Sequence, residues 1–216
     1  RIMAKFKTEF ETDRKTNQMR HVEVEIDFTT NALASILYRQ GDTVVLACCT
    51  KEARLPGWFP RDSNKGWVHA EYSLLPGSTD SRFRRERRGA KGRTQEIERL
   101  IARSLRAAVD LEQLGPVALN VDCDILNADG GTRCASITAA NLALRLAVRR
   151  LIANGQCLPT DLRPTDEERK SGWKAPDLTP EQQMEHENKV IPHDLAAISV
   201  GLIEGDVYLD LDYILD

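Results

Sequence analysis

Neither sign of charge dominates this chain of 216 residues: 30 Lys and Arg stand against 33 Asp and Glu, a net of −3. That balance removes any global case for a nucleic-acid-binding polycation, so such a surface has to be local. The five cysteines, Cys48, Cys49, Cys123, Cys134 and Cys157, form no C-x-x-C pair. They sit mostly in apolar runs and read as small buried residues of a reducing compartment, neither a disulfide framework nor a zinc site. The histidines, His21, His69, His186 and His193, show no metal-ligand spacing. No serine or cysteine sits in a recognisable nucleophile elbow. There is no internal repeat, no apolar run long enough to cross a membrane, and no secretory pattern at the start. A cytoplasmic protein with no membrane partner is the expectation. The first residue is Arg1, so the natural start is expected upstream or at Met3.

What is present suits one compact domain or two small ones, with 41% hydrophobic and 29% charged residues. Residues 22–27 alternate, with Val22, Val24 and Ile26 on one face and Glu23, Glu25 and Asp27 on the other, which predicts a half-buried strand. Strands are also expected at 32–38 and 43–50, around a Gln40-Gly41-Asp42 turn, at Trp67–Ser73 and at Val117–Leu126. Residues 53–66, with Pro56, Gly57, Pro60 and Gly66, read as loop. Ile97, Leu100, Ile101, Leu105 and Ala108 form the stripe of a helix over 94–110, opened by Thr94 as N-cap. A second long helix follows Arg133 and ends near Asn154-Gly155. The last strands are expected at 196–203 and 207–211. Two long helices interspersed among strands give an α+β class of mixed sheets and packed helices, as a single domain over 1–216. Residues 157–194, interrupted by Pro159, Pro164, Pro176, Pro180 and Pro192, read as a surface insertion with few buried contacts and one short helix near 180–189.

The most informative stretch is Ala128-Asp129-Gly130-Gly131-Thr132-Arg133, placed directly before the second long helix. Two glycines let backbone approach a ligand closely. Thr132 offers a hydroxyl, Arg133 a fork of donors, and the helix its free N–H groups and positive dipole end. These parts make either an anion site or an ordinary tight turn. Arg93 would sit at a second helix start, facing either an anion or Glu96. Residues 82–93 concentrate arginine, with Phe83 among them able to stack on a base; the run reads as a solvated loop or a polyanion patch. Asp122 and Asp124 share a strand face, suited to Mg2+ or to pairing with arginines. Asp210 and Asp212 are expected on one strand face, with Asp216 beyond them, while Arg99, Arg103 and Arg106 are expected on the exposed face of the first helix.

Three long motifs resemble the bacterial ribonuclease PH family. They are Gly66-Trp67-Val68-His69-Ala70-Glu71-Tyr72-Ser73-Leu74-Leu75-Pro76, Gly92-Arg93-Thr94-Gln95-Glu96-Ile97-Glu98-Arg99-Leu100-Ile101, and Asp122 through Arg133 followed by Ala135-Ser136-Ile137-Thr138. The resemblance spans residues 13–156 and resumes over 195–216. It implies a fold like the second domain of ribosomal protein S5. It also implies a phosphate-dependent 3′→5′ exoribonuclease that trims tRNA 3′ ends and releases nucleoside diphosphates. Family members assemble as a homohexameric ring, a trimer of dimers, and a noncatalytic RNA-binding subunit of an exosome-like ring is the alternative. By motif match Arg93, Gly131, Thr132 and Arg133 bind phosphate. Asp216 is the first catalytic aspartate and a ligand of Mg2+. The arginine-rich loop, Arg82, Arg84, Arg85, Arg87 and Arg88, is expected to guide RNA by its phosphates. Three departures stand out: Leu215 replaces an acidic residue, the 157–194 segment is long, and the family's second aspartate falls beyond Asp216, so little turnover is expected of this chain.

Overall fold

Alternation decides the central sheet. In the computed structural model, which describes residues 14–60 and 63–213, strand β3 (Thr43–Lys51) buries Val45, Ala47 and Cys49 and leaves the residues between them half-buried. Strands β4 (Trp67–Leu74) and β5 (Ala118–Asn127) repeat the pattern with Val68, Ala70 and Tyr72, and with Val121, Cys123 and Ile125. Side chains two apart share a face, so these residues form one continuous apolar surface. With β1 (Val22–Ile26) and β2 (Ala34–Gln40) the sheet runs β1-β2-β3-β5-β4. All neighbours are antiparallel except β4 and β5. That parallel pair requires a crossover, and helix α1 (Gly92–Ala108) supplies it together with the short α2 (Leu111–Leu114).

Helix α3 (Thr132–Ala153) lies across the apolar face. Ala139, Ala140, Ala143 and Ala147 are fully buried, and side chains this small let the helix backbone approach the strands closely. α3 is buried on most of its sides, as expected of a helix enclosed by a sheet and by other helices. α1 adds Ile97, Ile101 and Leu105 to the same core. The opposite face of the sheet is polar and open, carrying His69, Glu71 and Ser73 from β4 and Asn120, Asp122 and Asp124 from β5.

After α3 come a turn of 3-10 helix at Thr160–Leu162, α4 (Asp166–Lys170) and α5 (Pro180–Val190). The short helix expected near 180–189 is present as α5, and the departure is in its burial, since few buried contacts were expected of this segment. α5 opens on a capping box between Thr179 and Gln182, with Pro180 in its first turn, and docks on α3. His186, Glu187, Val190 and Ile191 are buried, and Glu187 accepts two hydrogen bonds from Arg149 at 2.8 and 3.0 Å. Proline punctuated the segment without preventing a packed helix inside it.

The chain closes with the hairpin β6 (Val200–Ile203) and β7 (Asp206–Leu209), shorter than expected at both outer ends. Asp210 has left the strand, with φ +57°, so Asp210 and Asp212 do not share a strand face as predicted. β1 also differs: Val24 and Ile26 are exposed, so the alternation there marks no buried face among the described residues. Among those residues no helix is long and apolar enough to cross a membrane.

Candidate active site

The loop between β5 and α3 takes its shape from two successive left-handed glycines, Gly130 at φ +77° and Gly131 at φ +64°. A Cβ on Gly130 would stand 2.5 Å from the Leu211 carbonyl oxygen, so only glycine fits where the loop meets the segment after β7. Polar groups from distant parts of the chain hold the loop. Thr43 Oγ1 donates to the Gly130 carbonyl at 2.7 Å and accepts from the Asp129 N–H at 3.1 Å. The Ala128 N–H donates to the Ser78 carbonyl at 2.8 Å. Arg20, buried, donates to the Asp129 carbonyl oxygen and, from Nε and Nη2, to both carboxylate oxygens of Asp210 at 3.0 and 2.8 Å. Burial alone would raise the pKa of Asp210. Hydrogen bonds from Arg20 and Gln40, with the Arg20 charge, outweigh it and hold the carboxyl below its usual range.

Both long helices start beside this loop. α1 begins at Gly92, earlier than expected, so Thr94 is not its cap and Arg93 lies inside its first turn. α3 begins at Thr132 with Gly131 as its N-cap residue. Neither N-terminus has a side-chain cap and neither first turn holds an acidic residue. The other α-helices among the described residues, α2, α4 and α5, are capped by Asp110, Thr165 and Thr179. Two helix ends with free N–H donors and positive dipole ends thus open on one corner. Arg133 Nη2 meets Glu96 Oε2 at 2.7 Å and ties the first turn of α3 to the N-terminal part of α1. Glu96 therefore pairs with Arg133 and not with Arg93. Arg93 is exposed and has no ion-pair partner among the described residues. Between the two arginines the Tyr72 hydroxyl lies 3.0 Å from Thr132 Oγ1. Burial raises the Tyr72 pKa, while the Thr132 hydrogen bond and the charges of Arg93 and Arg133 act the other way.

Arg82, Arg84, Arg85, Arg87 and Arg88 are all exposed. A cavity of about 310 Å³ separates this loop from the corner, and Tyr72, Phe83, Arg85, Arg87 and Thr94 contribute to its lining. The cavity thus runs from Arg85 and Arg87 of the basic loop to Thr94, next to Arg93, and to Tyr72, the partner of Thr132. Arg106 departs from its expected place on an exposed face: its guanidinium lies 4.5 Å from the centroid of the Trp67 ring and donates to the Val68 carbonyl at 2.9 Å. Asp122 and Asp124 do share the open face of β5. Asp122 is pushed up to about 6, first by burial and then by Glu71, Asp124 and Glu52. Among the described residues neither forms a salt bridge with an arginine, although the Arg85 charge acts on Asp124, and no group of three or more His, Cys, Asp or Glu is arranged to hold a metal ion. Asp216 lies outside the described residues.

Two participants were not singled out from the sequence. Tyr72 occupies a buried phase of the β4 alternation, so it reads as core. Arg20 precedes β1 among polar residues, and its partner Asp210 is 190 positions away.

Comparison with known proteins shows the family and the fold. The 3′ exoribonuclease family, domain 1, matches residues 18–149. Ribonuclease PH of Rhodopirellula baltica is 46% identical over 204 residues, covering 94% of this chain and 73% of the relative. Ribonuclease PH of Crocosphaera subtropica is 42% identical over 200 residues, covering 93% and 71%. Among solved structures, rice Rrp46 aligns with a TM-score of 0.64 at 19% identity over 94% of this chain and 73% of its own. A chain of the Archaeoglobus fulgidus exosome, solved with RNA bound to its active site, aligns at 0.59 and 19% identity over 92% and 69%. At that identity the two structures speak for the fold.

Proposed function

The chain belongs to the RNase PH family of 3′ exoribonucleases, and from that premise we propose that inorganic phosphate, the co-substrate of a phosphorolytic 3′→5′ exoribonuclease, binds in the corner between α1 and α3. One observation carries the placement: the two helices without side-chain caps are the two that the Arg133–Glu96 pair joins near their N-terminal ends, and Arg93 and Arg133 stand there. Phosphate and an RNA backbone are both anions, and bringing them together requires positive charge fixed in advance. Arg93, Arg133, the Thr132 hydroxyl and the N–H groups following Gly131 supply it. The bound phosphate oxygen attacks the phosphorus of the terminal phosphodiester. The bond to the 3′-oxygen of the preceding nucleotide breaks, that oxygen takes a proton, and a nucleoside 5′-diphosphate leaves. Arg82, Arg84, Arg85, Arg87 and Arg88 hold the incoming strand by its phosphates, which positions it without reading its sequence.

The finer assignments complete the proposal. The RNA is a tRNA 3′ end or a comparable single-stranded tail, the assembly is a homohexamer built as a trimer of dimers, and the compartment is the cytoplasm. Asp216 is the proposed catalytic carboxylate and Mg2+ ligand. The described residues do not by themselves build a metal site, and the phosphate chemistry above is carried by the chain's own donors. Arg93, Thr132 and Arg133 together weigh against a noncatalytic ring subunit, which has no use for a phosphate corner.

Product analysis tests the reading. With end-labelled tRNA bearing an extended 3′ tail, thin-layer chromatography should show nucleoside diphosphates only when phosphate is added. Excess nucleoside diphosphate should lengthen the RNA, and Arg93→Ala should depress both directions together, since one transition state serves both. Nucleoside monophosphates released without phosphate would establish hydrolysis instead.

A further inference from the structure

We infer that Tyr72 is a positioning residue for the phosphate corner: its hydroxyl donates to Thr132 Oγ1 and so leaves the single Thr132 proton to point at the anion. The inference rests on the phosphate reading above and adds to it a residue from the sheet.

The argument begins with proton counting. The two hydroxyls are 3.0 Å apart, and by geometry either can donate. A threonine hydroxyl has one proton and two lone pairs. If Thr132 donates to Tyr72, it presents only lone pairs to an incoming anion, and the two repel. If Tyr72 donates to Thr132, the Thr132 proton is free for a phosphate oxygen and every group is satisfied. Only the second arrangement is compatible with an anion at the start of α3. Burial keeps the Tyr72 proton on its oxygen at neutral pH, which leaves it available for donation.

The position of Tyr72 makes the arrangement directional. Its side chain is 5% exposed, and its backbone lies opposite Cys123 in the β4–β5 ladder. The hydroxyl is therefore placed by the sheet, not by the glycine loop. Thr132 follows a left-handed glycine, and its hydroxyl gains a fixed direction from a partner outside the loop. The Tyr72 ring also lines the 310 Å³ cavity beside the basic loop, so one side chain borders both the phosphate corner and the approach from the RNA side.

The test is isothermal titration of inorganic phosphate into the full chain, as wild type, Tyr72→Phe, Thr132→Val, the double variant, Thr132→Ser and Arg133→Ala. It is paired with RNA affinity measured without phosphate. Tyr72→Phe should weaken phosphate binding roughly two- to tenfold, the effect of one neutral hydrogen bond, and raise KM for phosphate by a similar factor. RNA affinity should hold. The double variant should be no weaker than Thr132→Val alone, because the tyrosine acts through that hydroxyl. Thr132→Ser should keep both phosphate binding and its sensitivity to Tyr72→Phe. If wild type and Arg133→Ala bind phosphate alike, the phosphate reading itself fails. If Arg133→Ala loses phosphate but Tyr72→Phe matches wild type, or adds its full effect on top of Thr132→Val, the tyrosine inference fails and the phosphate reading stands.

Discussion

Replacing Arg20 with methionine should cost the protein more stability than any other single change near the corner. Arg20 and Asp210 are both buried, with side chains 1% and 0% exposed. The guanidinium reaches both carboxylate oxygens of Asp210 and the Asp129 carbonyl. Methionine fills much of the volume but leaves a carboxylate in the interior without its closest cation. Breaking one side of a buried ion pair costs roughly 3–5 kcal/mol, a large share of the ~5–15 kcal/mol that holds a typical domain together. Arg14 Nη1, 3.9 Å from Asp210, offers partial compensation and places the expected loss toward the lower end. For a domain of this size about 3 kcal/mol corresponds to a fall in Tm of roughly 6–12 °C. Acid should narrow the gap. In the wild type Asp210 is held below its usual pKa, so its contribution is complete above the unfolded carboxylate range and disappears as pH falls through the lower folded value. In the variant the same buried carboxyl is raised, so its penalty is greatest at neutral pH and shrinks as the group takes up a proton. Calorimetric melts at pH 7.5 and 4.5 measure both effects, and Arg20→Met with Asp210→Leu should recover part of the loss. A neutral-pH melt of Arg20→Met within about 2 °C of wild type, less than 1 kcal/mol by the same conversion, would refute the reasoning.

Gly130→Ala should lower Tm and weaken phosphate binding together. A left-handed backbone costs a non-glycine residue roughly 1–2 kcal/mol, and the new Cβ meets the Leu211 carbonyl at 2.5 Å; an unchanged melt contradicts this. Asp122→Asn should stabilise the protein at pH 8 and leave it unchanged at pH 3. The folded carboxyl titrates near 6 because of burial and then Glu71, Asp124 and Glu52, so wild-type stability falls as pH rises from the unfolded value toward 6. Thermal melts across pH 3–8 show whether the two curves separate in that window. Glu96→Gln keeps an acceptor for Arg133 while removing a negative charge from the corner, so phosphate should bind more tightly by titration; weaker binding would mean that the carboxylate charge is what holds Arg133 in place.

The sheet and both long helices were legible because their periodicities are local. The alternation of β3 to β5 and the stripe of α1 state their buried faces outright. The glycine turn that opens α3 was legible for the same reason: Gly130, Gly131, Thr132 and Arg133 are adjacent. Four features were not. β1 alternates like a half-buried strand, yet among the described residues nothing covers Val24 and Ile26. The helix near 180–189 was expected, but its docking was not, because that depends on Arg149 of α3, which a short window does not contain. The Arg20–Asp210 pair and the Tyr72–Thr132 hydrogen bond join residues 190 and 60 positions apart. Arg20 and Tyr72 look unremarkable until the fold brings them to Asp210 and Thr132.

That long reach across the sequence has a temporal side. The sheet and the two long helices rest on contacts of shorter reach, the longest strand ladder joining β3 to β5 across 68–83 positions. The brace on the glycine loop instead joins Arg20 to Asp210 over 190 positions. Closing so long a span carries a greater entropic cost than joining nearby strands, and contacts of this kind slow folding. On a ribosome Arg20 must also wait for nearly the whole of the chain described here before its partner exists. The corner is therefore the part of the structure expected to mature last, after the framework around it has already formed.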